Sequence, residues 1–114
     1  MREVKAIIRP QRVESVMEAL LGIPELPGVT VSHVHAYAGS RQDVAQVPAD
    51  RREADFTKLE IVVSVELVDR VVAAISRAAH TGQSGDGIVF VVPVDRYTRI
   101  RDIVPPADGT ASVD

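Results

Sequence analysis

The 114-residue chain contains no cysteine. That removes a disulfide framework and all thiol chemistry. Aromatic residues make up only 4 % of the sequence, too few for the stacking platforms that grip single-stranded nucleic acid. No long basic run is present and the net charge is −3, which argues against nucleic acid as the main partner. No apolar run approaches the roughly 18 residues of a membrane span, and none at the N-terminus reads as a signal peptide. The expected compartment is therefore the cytoplasm, with no direct membrane insertion. Nor is there a G-x-S-x-G motif, or a helix-spaced carboxylate pair with a base beside it, so an enzyme is not expected.

Apolar residues reach 46 %, which excludes disorder by composition and suits one domain with its own core. "VKAIIRP" reads as a strand over Val4 to Arg9, stopped by Pro10. "QRVESVMEALLG" places Val13, Val16, Met17, Leu20 and Leu21 on one helical face, and Gly22 and two prolines end it. "GVTVSHVHAY" is a second strand. A polar stretch from Ala38 to Phe56 has neither period. "TKLEIVV" is a third strand. A second helix follows over 64–82, with Ser64 as N-cap, Gly82 as C′ residue, and Val68, Val71, Val72, Ile75 and Ala79 on its apolar face. "GIVFVVPV" is the fourth strand, which "RYTRIRDIV" extends or follows. Residues 105–114 have the composition of a disordered tail.

The order predicts an α+β, ferredoxin-like βαββαβ sandwich: a four-stranded antiparallel sheet with both helices on one face. Ile7 and Ile8 are adjacent and must point to opposite faces, as must successive residues of "IVFVV". A half-solvated sheet should alternate more cleanly. Either the second face has a cover, of which another copy of the chain is the simplest, or the central strands tolerate apolar residues on both sides.

Four features could carry chemistry. The run "HTGQSGDGIVF" holds Gly85, Asp86 and Gly87 just before a strand. A P-loop needs a following helix and a Lys-Ser/Thr pair, so that reading fails. A turn using positive φ and an anion nest of backbone N–H groups both remain open. "TRIR" sets Arg99 and Arg101 two apart; in an extended segment they would project to one side and suit a polyphosphate, or pair with Asp95 or Asp102. The long loop carries Arg41, Arg51 and Arg52 among acidic residues, as a solvated excursion or a binding loop. His33 and His35 could begin a metal site, but no third ligand is evident, so the expected metal is none.

Four segments then carry a family resemblance. "VKAIIRP", "GVTVS" at 28–32, "KLEIVV" at 58–63 and "TGQSGDGIVFVVPV" with "RIR" are similar to the strands and C-terminal signature of the PII signal-transduction family. The likeness covers residues 1–104. It implies a sheet-packed homotrimer binding adenine nucleotides (ADP, AMP or ATP) between subunits, and a flexible T-loop over about 37–56 that docks on a transporter or regulated enzyme. The implied nucleotide residues are Ile7, Gly28, Thr30, Glu60, Ile61, Val62, Gly85, Asp86, Gly87, Arg99 and Arg101. The implied partner-binding residues are Tyr37, Ser40, Arg41, Arg51 and Arg52. No cofactor is required.

Three departures matter. "AYAGSR" replaces the family's usual T-loop start, with Ser40 near the place of a glutamine that helps hold Mg²⁺ and 2-oxoglutarate. No tyrosine follows Tyr37 in the loop, so the modified tyrosine is missing. Ile88 stands where a lysine commonly meets the outer phosphates. The resemblance therefore implies inorganic-carbon (bicarbonate) or other transport-linked regulation rather than 2-oxoglutarate sensing. A metal- or anion-binding tolerance protein of the same fold, with His33 and His35 as handles, is the alternative.

Overall fold

The computed structural model describes residues 1–37, 53–83 and 85–103. Four strands, β1 (Arg2–Ile8), β2 (Thr30–Tyr37), β3 (Glu53–Val63) and β4 (Gly87–Pro93), form one sheet in the order β2-β3-β1-β4. All three pairings are antiparallel. Helices α1 (Val13–Leu21) and α2 (Val68–Ala79) are each entered through a short 3₁₀ turn, Pro10–Arg12 and Val65–Leu67. This is the expected ferredoxin-like sandwich.

The core lies between the helices and one sheet face. Val4, Ala6 and Ile8 of β1 and Leu59, Ile61 and Val63 of β3 alternate into it. Val16 and Leu20 of α1 and Val71, Ile75 and Ala79 of α2 close it from above. The α2 face matches the periodicity in full, since Val68 and Val72 also pack on this cluster. The α1 face narrows by one residue: Leu21 is 82 % exposed, because the helix ends there and Gly22 turns the chain away. Arg12 ties the two helices together, its guanidinium donating to the Ala78 carbonyl from Nε (3.0 Å) and Nη2 (2.6 Å).

Several boundaries differ from the sequence expectation. β1 begins at Arg2 and stops at Ile8, because Arg9 turns into the 3₁₀ helix and stacks its guanidinium over Phe56, 4.8 Å from the ring centroid. β3 begins at Glu53, not Thr57. The polar Glu53–Phe56 segment pairs with Val34 to Tyr37, so cross-strand bonding extends the hairpin where the side chains show no period. The stretch expected as loop therefore loses Tyr37 to β2 and Glu53–Phe56 to β3; residues 38–52 and the expected tail 105–114 lie outside the described residues. Ser64 is extended ahead of the second helix, yet its side chain makes no capping bond. That helix ends at Ala79 with His80 as its C-cap, so Gly82 (φ +82°) belongs to the next turn and is not the C′ residue.

The far face of the sheet is mixed. Lys5 lies between Glu60 on β3 and Phe90 on β4, with Glu3 at 3.6 Å and Glu60 at 3.9 Å. Ile7 pairs with Ile88, which is 57 % exposed, and Phe90 is also exposed. The "IVFVV" run is thus split as its adjacency requires: Val89 packs on the core, and Ile88 and Phe90 face outward.

Candidate nucleotide-binding site

Two regions gather the expected site residues, at opposite ends of the sheet. At one end, chain 24–29 runs beside the end of β3. A cleft of about 650 Å³ is lined by Gly28, Val62, Ser64, Tyr97 and Arg99, among others. A second cleft of about 370 Å³ shares Pro27, Gly28, Val62 and Tyr97 with it, and adds Thr30, Glu60 and Glu3. Glu25 enters this bend with φ +66°, a left-handed conformation uncommon for a residue with a side chain. Five sequence-derived residues therefore meet here: Gly28, Thr30, Glu60, Val62 and Arg99.

Ile61 does not join them. It is fully buried in the core, because strand alternation sends it to the helix face while Glu60 and Val62 face away. Ile7 also lies elsewhere, opposite Lys58 and Ile88 toward the glycine-turn end.

The glycine turn occupies that other end. Gly87 pairs with Ile8, whereas Val92 pairs with Glu3 beside the clefts. The two positions are five residue steps apart along the strand, roughly 17 Å at the usual rise. Asp86 and Gly87 line a pocket of about 250 Å³ with Ile8, Val72 and His80. Within one chain the glycine turn and the two clefts do not meet.

The turn answers the choice between punctuation and cradle. Asp86 accepts from the backbone N–H of Thr81 (2.9 Å) and Gly82 (3.2 Å), and from the Thr81 hydroxyl. Gln83 N–H donates to Thr81 Oγ1 at 3.2 Å. The Thr81 and Gly82 N–H groups thus converge on an anion, and the anion is the chain's own carboxylate. Desolvation pushes the Asp86 carboxyl up, but the Thr81 and Gly82 hydrogen bonds and nearby His80 outweigh it and hold the group below its ordinary range. Gly87 is required sterically: φ is +118°, and a Cβ would sit 1.9 Å from the Ile7 carbonyl oxygen.

The arginine pair departs from its expected geometry. Arg99 is extended, but Ile100–Asp102 form a 3₁₀ turn that contains Arg101. Two residues along a three-residue turn do not share a side, so an extended spacing does not hold. Asp102 reunites them. Its Oδ2 lies 3.8 Å from Arg99 Nε and its Oδ1 lies 3.7 Å from Arg101 Nε.

Sequence reading missed Tyr97, which walls both clefts and is 44 % exposed. No local pattern marks it, because only the return of the chain after β4 brings it beside Gly28. His35 also makes side-chain contacts that no sequence pattern announced. Its Nδ1 is 3.0 Å from Asp55 and its Nε2 is 3.0 Å from Glu53, and its ring meets Tyr37 edge-on. Both ring nitrogens are engaged with carboxylates, and the Asp55 and Glu53 hydrogen bonds raise its pKa above 6.5. In this arrangement both ring nitrogens face carboxylates and neither faces open space. Among the described residues, no group of three His, Asp or Glu side chains could hold a metal ion. Tyr37 is exposed at the end of β2; Ser40, Arg41, Arg51 and Arg52 lie outside the described residues. Among the described residues, no helix is long and apolar enough to cross a membrane.

The family model for nitrogen regulatory protein P-II matches residues 1–103. The chain is 40 % identical to a nitrogen regulatory protein P-II from Rhizobium etli and 36 % identical to one from Azospirillum brasilense, each over 104 residues, 89 % of this chain and 92 % of the relative. A crystal structure of Arabidopsis thaliana PII bound to citrate superposes with a TM-score of 0.70 at 34 % identity, over 97 % of this chain and 87 % of that one.

Proposed function

The chain belongs to the nitrogen regulatory protein P-II family, and on that premise we propose that it is a non-enzymatic, trimeric regulator that binds an adenine nucleotide between subunits. The observation that carries this reading is the divided site. Gly28, Thr30, Glu60, Val62, Tyr97 and Arg99 gather at one end of the sheet, and the glycine turn closes the other. A neighbouring copy packed through its sheet supplies the missing half. The outward Ile88 and Phe90 are the surface such packing buries. Light scattering at micromolar concentration reads a trimer on this reading, and a monomer would sink it.

ADP or AMP binds at least as tightly as ATP. Ile88 brings no charge to the outer phosphates, and Ser40 replaces a Mg²⁺-holding glutamine. Nucleotide binding then shifts the segment 37–56 between states that differ in affinity for a partner, a transporter or regulated enzyme. The altered loop favours transport-linked control, with bicarbonate as a second ligand, over 2-oxoglutarate sensing. Titration calorimetry with AMP, ADP and ATP, with and without Mg²⁺, is the test. A strong, Mg²⁺-dependent preference for ATP would overturn the assignment. A thermal-shift series with bicarbonate, 2-oxoglutarate and Zn²⁺ covers the second effector and the metal-binding alternative, since a ligand raises the melting temperature by mass action.

A further inference from the structure

We infer that Asp102 is a specificity-determining residue of the nucleotide site: a carboxylate held between Arg99 and Arg101 that tunes the site against ligands carrying more phosphate charge. The inference rests on the nucleotide reading and deepens it. Each Asp102 oxygen faces one guanidinium, Oδ2 toward Arg99 at 3.8 Å and Oδ1 toward Arg101 at 3.7 Å. The backbone closes the turn that carries these residues. Asp102 N–H donates to the Arg99 carbonyl at 2.9 Å, and Ile103 N–H to the Ile100 carbonyl at 3.1 Å, closing the turn around the two side chains.

The chemistry follows from charge. Two guanidiniums present forked donors to a phosphate and a combined charge of +2. Asp102 engages one nitrogen of each and reduces the local charge to +1. Arg99 lines the larger cleft, so this trio stands at the edge of the site. Every phosphoryl group added to a ligand also adds charge that Asp102 repels, so its penalty grows from AMP to ADP to ATP. The trio is half to three-quarters exposed, at 50 % for Arg99, 76 % for Arg101 and 59 % for Asp102. Solvent screens such pairs, so a phosphate displaces the carboxylate and the effect is a graded bias, not a block.

The test is calorimetry on the full chain with AMP, ADP and ATP in Mg²⁺-free buffer, comparing wild type, Asp102→Asn, and Asp95→Asn as a control with the same change in net charge. Asp102→Asn should tighten binding by about two- to tenfold, least for AMP and most for ATP, with the gain shrinking at high salt. Asp95→Asn should give no graded gain. A gain that is absent, or equal for all three nucleotides, overturns the inference while the nucleotide reading stands. If wild type binds no nucleotide, orthophosphate and tripolyphosphate decide. A graded gain toward tripolyphosphate in Asp102→Asn upholds the role of Asp102 and sinks the nucleotide reading. No binding of either phosphate to either protein sinks both.

Discussion

The glycine turn and the arginine turn both aim donors at a carboxylate of the chain itself, but the two carboxylates are held differently. Asp86 takes two backbone N–H groups at 2.9 and 3.2 Å as well as the Thr81 hydroxyl. Asp102 takes two ion pairs at 3.7 and 3.8 Å in open solvent. Short directional bonds to backbone define a turn, whereas long screened pairs between side chains are exchangeable. Donor geometry alone therefore does not identify a phosphate site. How firmly the donors are already held separates scaffold from grip.

Substitutions at the two turns break this comparison in different currencies. Gly87→Ala should have the largest effect. Its Cβ would overlap the Ile7 carbonyl and its φ is unfavourable for any side chain, so a loss on the order of 3–5 kcal/mol is expected in chemical denaturation. A loss under about 1 kcal/mol would mean the turn relaxes freely. Arg101→Ala should act in the opposite sense: nucleotide affinity falls by about tenfold or more while the melting temperature stays within error. Unchanged affinity removes Arg101 from the site.

Asp86→Asn should cost about 1 kcal/mol, since the amide offers the turn one acceptor oxygen in place of a charged pair. The sign with pH is fixed. The folded-state pKa of Asp86 is depressed, so its contribution is present above the ordinary value of 3.8 and is lost as pH falls through the folded value. The gap between wild type and Asp86→Asn should close in that acid window; a gap that persists there contradicts the hydrogen-bonded turn.

His35 sharpens the comparison with the smallest effect. It sits between Asp55 and Glu53 on the hairpin arm and its pKa is raised, so its stabilisation is full below 6.5 and fades as pH rises through the folded value. The side chain is exposed to solvent, which screens the pairs, so the change in melting temperature is slight and the direct observable is the imidazole titration by NMR. A midpoint at or below 6.5 rules out the double-carboxylate clasp. His35→Gln should abolish the small pH dependence across that window.

The architecture was legible because both helices and most strands carry their period locally. Val68, Val71, Val72, Ile75 and Ala79 fall on one face by spacing alone, and all five meet the core. Ile7 and Ile8 announced an outward apolar position by adjacency, and the register delivers it opposite Ile88. Glu53–Phe56 escaped detection because a strand held by backbone pairing at the end of a hairpin needs no alternation in its side chains. The Ile61 side chain parts from those of Glu60 and Val62 for a reason equally hidden from resemblance: resemblance marks a segment, while strand geometry sends neighbours to opposite faces.

What the sequence determined by itself was everything set by near neighbours: element order, the helix faces, and the charges available near the ends of the strands. The tertiary structure decided which of these meet. It placed Tyr97 beside Gly28, seated Asp86 in the turn, gave Asp102 to both arginines, and set the glycine turn and the cleft at opposite ends of the sheet. Period and steric freedom are properties of a few consecutive residues. Register and strand order join residues far apart in the chain, and their free energy is spread over the whole sheet, so no short stretch of sequence encodes them.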